Sequence, residues 1–154
     1  MVLLSAFGFA CAQSAFAETE VSWDEVPVNV RDVAENTAPG IDFVKVSVEI
    51  ENGVVIYEFE GETYDGRHVE VDVTEDGRLD EIEMEETEAD LPEAVVAAIQ
   101  EARPGSIILL VETSISGAGE FRYEVEVETP EGGSVAFNIL ENGEIVGVED
   151  AALS

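Results

Sequence analysis

The sequence predicts an α+β fold of two tandem repeats, each one helix followed by a four-stranded antiparallel meander, with the helices packed on one face of the sheet. Three observations carry this. Landmarks recur at a fixed offset: Pro27 and Pro92 lie 65 positions apart, as do Pro39-Gly40 and Pro104-Gly105. Tyr57-Glu58 and Tyr123-Glu124, Gly66 and Gly132, and Gly77 and Gly143 lie 66 apart, so one inserted residue separates two otherwise matching registers. Internal periodicity of this kind marks a duplication. Within each copy, one stretch has apolar residues at helical spacing, and the remainder alternates with period two. The expected division is a signal peptide over 1–17, a first repeat over 18–86 and a second over 87–154.

The first 17 residues carry no charge, and Val2 to Ala10 is a short apolar run. Ala15-Phe16-Ala17 before Glu18 matches a secretory cleavage signature, and the run is too short to span a bilayer. The usual basic n-region is missing, which leaves open a natural start upstream of Met1. Cys11 offers a lipoprotein alternative, but Gly8-Phe9-Ala10 lacks the aliphatic residue expected three positions before the cysteine.

The first helix is predicted from Val26, Val30, Val33, Ala34 and Thr37, which form one apolar stripe. Leu91, Val95, Ala98, Ile99 and Ala102 repeat it. Each helix has proline in its first turn, where a missing N–H costs nothing, and a Pro-Gly pair beyond its end. Asp90 and Glu93 have the spacing of a capping pair. Trp23 is expected as a cap packed on the first helix, with an exposed anchor as the alternative.

Four strands follow the first helix. Val44, Val46, Val48 and Ile50 alternate with Lys45, Ser47, Glu49 and Glu51, and Asn52-Gly53 is a two-residue hairpin signal. Val55, Tyr57 and Phe59 form the next strand, Val69, Val71 and Val73 the third, and Ile82 and Met84 the last. In the second copy the strands are predicted over 107–114, 121–128, 134–140 and 144–148, and Gly117-Ala118-Gly119 reads as a hairpin turn. The acidic stretch Glu85–Ala89 reads as a short linker. Units of about 65 residues are near the lower limit for an independent core, so the halves should share a core or a sheet. The pattern does not say whether their sheets join.

Charge narrows the function classes. Asp and Glu number 36 against six Lys and Arg, a net charge of −30. Phosphate recognition needs a basic footprint, so nucleic-acid binding is excluded, and anionic lipid heads are disfavoured as partners. A saline habitat or plain solubility accounts for such acidity, and attraction for cations or basic proteins is the competing reading. One cysteine, outside the repeats, and one histidine, His68, give no basis for a zinc site or a nucleophilic triad. The many carboxylates do not mark a catalytic pair, which would need a cleft and one desolvated acid.

The run Leu91-Pro92-Glu93-Ala94-Val95, Arg103-Pro104-Gly105-Ser106-Ile107 and Tyr123-Glu124-Val125-Glu126-Val127 resembles a PepSY domain. So do Val26-Pro27, Ala38-Pro39-Gly40, Tyr57-Glu58-Phe59, Asp65-Gly66 and the run from Val69 to Gly77 in the first copy. The resemblance covers residues from about 24 to 149 and implies a small secreted or periplasmic protein without catalytic residues. The implied role is to bind or inhibit a partner, a peptidase above all. A pair of such units is also similar in plan to the beta-lactamase inhibitory proteins.

Two candidate sites follow. Asp72, Asp76 and Glu83 approach the spacing of a calcium loop, although both flanks alternate as strands and a plain hairpin turn competes with that reading. On the wet face of the sheet, Glu58, Glu60, Glu70, Glu124 and Glu126 are candidates for contact with a basic partner surface, against a merely solvated, edge-protecting face. The expected function is a secreted or periplasmic, non-enzymatic, monomeric module of PepSY type that binds or inhibits a partner protein such as a peptidase. A calcium-responsive acidic module is the alternative.

Overall fold

A computed structural model describes residues 18–150 of the chain. The predicted signal peptide over 1–17, with Cys11, lies outside the described residues. The elements, in chain order, are β1 (Thr19–Glu20), α1 (Val28–Thr37), β2 (Asp42–Glu51), β3 (Val54–Glu62), β4 (His68–Thr74) and β5 (Leu79–Glu86). They continue with α2 (Glu93–Ala102), β6 (Ile107–Ser116), β7 (Phe121–Glu128), β8 (Ser134–Ile139) and β9 (Ile145–Asp150). A single 3₁₀ turn precedes each helix, at Trp23–Glu25 and Glu88–Asp90.

The expected α+β fold of two tandem repeats, each a helix plus a four-stranded meander, is corrected by this arrangement. The strands form one nine-stranded antiparallel sheet in sequence order, and the described residues are mostly β, with 49% strand and 20% helix. The physical cause is the edge of β5. An unpaired strand edge exposes a row of backbone donors and acceptors. Here that row pairs with β6 from Glu81↔Ser116 to Glu86↔Val111, so no boundary interrupts the ladder. The stretch read as a linker is absorbed in the process: Glu85 and Glu86 extend β5, and the 3₁₀ turn follows. The ninth strand, β1, pairs Thr19 and Glu20 with Val48 and Ser47.

Register fixes the two faces. Val69, Met84, Thr113, Tyr123 and Ile139 lie in one row across five strands. Both helices cover this face. Val30 and Ala34 of α1 are fully buried on Phe59, Val69, Val71 and Val73, and Val95 and Ile99 of α2 on Val125, Val127, Phe137 and Ile139. Two apolar clusters result, one beneath each helix, carried on a single sheet. Trp23 packs against the first, stacked 6.4 Å from Phe43 and edge-on 5.7 Å from Phe59, with Arg31 over its ring.

Local chemistry sets the ends of these elements. Pro27 and Pro92 stand at the N-caps, one position before each helix. The capping pair is not Asp90 with Glu93. Asp90 reaches back to the backbone N–H and hydroxyl of Thr87, closing the 3₁₀ turn, as Glu25 does to Ser22. Asn52 and Gly53 both have positive φ, 51° and 82°, which gives the β2–β3 hairpin the turn whose twist matches its strands.

Candidate functional site

The face opposite the helices is uncovered, and period two loads it with carboxylates. One row runs Lys45, Glu60, Glu70, Glu83, Ser114, Arg122 from β2 to β7. A second runs Ser47, Glu58, Asp72, Glu81, Ser116. A third, beginning at β5, runs Glu85, Glu112, Glu124, Asn138, and Glu126 follows Glu124 two residues on. Like charges directly opposed across strands repel by roughly 0.2–1 kcal/mol per pair in an exposed sheet. Such juxtapositions include Glu58 with Asp72, Glu60 with Glu70, Glu70 with Glu83, Asp72 with Glu81, Glu85 with Glu112, Glu112 with Glu124, and Asp42 with Glu62.

Cations on this face serve its margins. The Lys45 ammonium contacts Glu18 at 2.7 Å and Glu60 at 2.5 Å. Arg122 contacts Glu81 at 2.6 Å and Glu124 at 2.8 Å, and its Nε donates to Asn138 at 3.0 Å. His68 Nε2 lies 3.6 Å from Glu60. Hydroxyls supply further donors: Ser47 to Glu58 at 2.8 Å, Ser114 to Glu81 and Ser134 to Glu126. Glu70, Asp72, Glu83 and Glu112, in the middle, receive no such help from the described residues.

The electrostatic consequence is a set of carboxyls that resist ionisation. Burial, then the charges of Glu58 and Glu60, pushes Glu70 up to about 8. Burial, then Glu124 and Glu112, pushes Glu83 up to about 9, and burial with Glu124 and Glu85 pushes Glu112 up to about 7. Asp72 is raised well above the carboxylate range by burial and by Glu70 and Glu58. Glu58 and Glu124 are also raised by burial, opposed by the Ser47 hydroxyl and by Arg122 respectively.

The residues singled out from sequence distribute as follows. Glu58, Glu60, Glu70, Glu124 and Glu126 all lie on the open face, the first three around β3 and β4 and the last two on β7. Of the calcium-loop residues, Asp72 and Glu83 lie on that face on adjacent strands. Asp76 stands apart in the β4–β5 turn, where its carboxylate accepts from Thr74 at 2.5 Å and from Arg78 at 2.9 Å. Sequence reasoning missed Glu81, Glu83 and Glu112 as members of the acidic face, and Arg122 as one of its cations. Alternation about Ile82 and Val111 was the signal for the acids. Two groups of three bring their oxygens within 4.8 Å of one another: Glu58, Glu70 and Asp72, and Glu81, Glu83 and Glu124.

No family model and no curated protein matches the chain. Solved structures do. A DUF2874 family protein from Bacteroides uniformis superposes with a TM-score of 0.64 at 17% identity, covering 80% of this chain and 88% of that one. A protein from Bacteroides eggerthii described as "putative periplasmic" gives 0.67 at 15% identity, over 81% and 88%. A BLIP-like protein from Bacteroides fragilis gives 0.60 at 19% identity, over 82% and 86%. At these identities the likeness is one of fold: this chain has a BLIP-like fold.

Proposed function

We propose that the chain is a non-enzymatic, periplasmic protein-binding module that receives a cationic patch of a partner protein on its open sheet face. The observation that carries this reading is the imbalance on that face, where Glu70, Asp72, Glu83 and Glu112 lie between cations already committed to other acids. An incoming lysine or arginine would relieve like-charge repulsion that the free protein sustains, so electrostatic complementarity speeds encounter and selects basic partners. Inhibition of a peptidase is the action we favour, since the sequence resembles PepSY domains and the fold is shared with a BLIP-like protein. A periplasmic location is favoured by the neighbour described in those terms and by the apolar leader read in the sequence.

The test is a titration of purified protein against secreted and periplasmic peptidases with basic surfaces, with cleavage of a neutral peptide as the readout. Inhibition should be saturable, and it should weaken tenfold or more in the variant carrying Glu58→Gln, Glu70→Gln and Glu124→Gln. Binding to none of them, or inhibition that the triple variant retains in full, would contradict the assignment of this face.

A further inference from the structure

We propose that Glu58, Glu70 and Asp72 form a binding site for a calcium-class divalent cation on the open face between β3 and β4. Glu58 and Asp72 are directly opposed, and Glu70 lies two residues before Asp72 on the same side of its strand. One oxygen of each lies within 4.8 Å of the other two. Three oxygens that close can share a calcium ion at about 2.3–2.6 Å in its flexible coordination, whereas magnesium demands near-ideal octahedral geometry at about 2.0–2.1 Å.

A crowded acidic face can be merely solvated, and Asp72 distinguishes the two cases. Its Oδ1 is sealed from solvent and meets no hydrogen-bond partner among the described residues. Buried polar oxygens are paired in nearly all folded proteins, so this one calls for a donor or a cation. Its charged neighbours Glu70, Glu58, Glu83 and Glu81 are all acids. Lys45 is engaged by Glu18 and Glu60, and Arg122 by Glu81 and Glu124. The Ser47 hydroxyl holds Glu58 Oε2 at 2.8 Å, which orients that carboxylate and leaves its other oxygen free for an ion. The donor set is all carboxylate, which suits a hard cation and not zinc or copper. Water would complete the coordination from the open side. The second group, Glu81, Glu83 and Glu124, already has the Arg122 guanidinium against two of its members, so it serves as an internal control.

The site needs no protein partner, so its test stands apart from that of the partner role. Chelator-treated full chain is titrated with calcium chloride by calorimetry at an ionic strength of about 0.15 M, where exposed charges are screened. The expected result is one saturable site per chain, with magnesium chloride at least tenfold weaker. Asp72→Asn and Glu70→Gln should each weaken binding tenfold or more, and Glu81→Gln, which removes a neighbouring charge and no ligand, should weaken it far less. Far-UV circular dichroism checks that each variant is folded, and the two ligand variants cover for each other if one is not. Absence of saturable heat, equal affinity for magnesium, or binding that persists in the folded ligand variants would overturn the assignment.

Discussion

At the scale of single residues, close approach explains positions that composition does not. Gly117 opens the β6–β7 turn, and its N–H donates to the Asp80 carbonyl at 2.6 Å. A Cβ there would lie 2.0 Å from the Leu79 carbonyl oxygen, a backbone atom that cannot swing aside. From sequence, Gly117-Ala118-Gly119 is a hairpin and nothing more; that the hairpin rests on the start of β5 depends on a pairing the turn residues do not encode. Gly117→Ala should therefore force the β6–β7 hairpin off β5. The expected loss is roughly 1–3 kcal/mol by urea denaturation, the range of overpacking at a tightly packed position. A loss below about 0.5 kcal/mol would mean that this contact does not hold the seam.

Among elements, the sequence announces what is local and conceals what is not. The two helices, the strand faces and the Asn52-Gly53 turn were legible because spacing and turn chemistry act within a few residues. Period two also assigned Glu58, Glu60, Glu70, Glu124 and Glu126 to the open face. The β5–β6 pairing was not legible: alternation tells which way a side chain points and not which strand lies alongside. Missing that seam concealed the encounter of Glu85 with Glu112 and of Glu83 with Ser114, which joins the acids of one half to those of the other. The paired edge also predicts how the molecule melts. Ile99 of α2 is fully buried against the sheet, and Ile99→Ala should cost roughly 2–5 kcal/mol through lost burial and a residual cavity. Trp23, the sole tryptophan, reports the other apolar cluster. If the sheet unfolds as one cooperative unit, Trp23 fluorescence and far-UV circular dichroism should shift to the same lower midpoint in Ile99→Ala. An unchanged fluorescence midpoint would show two halves unfolding separately.

For the whole molecule, a net charge of −30 is a solubility device only in part, because its distribution matters more than its sum. The acids in the middle of the open face are held protonated by burial and by one another, which ties stability to pH. Glu70 and Glu83 move from an ordinary value of 4.5 to about 8 and about 9 in the folded chain. Between those limits the folded state binds more protons than the unfolded one, so stability falls as pH rises. Their contribution is complete below 4.5 and is lost as pH passes through 8 to 9. A bound cation or a basic partner would stand in for those protons, which is how the charge on this face becomes function. Thermal melting from pH 5 to pH 9.5 in chelator and low salt tests the point most directly, comparing the wild-type chain with the Glu70→Gln, Glu83→Gln double variant. The wild type should lose melting temperature steadily from pH 5 to about pH 9 and the variant markedly less, so that the two curves separate progressively over that window. Parallel curves would contradict a face of mutually repelling, uncompensated carboxylates.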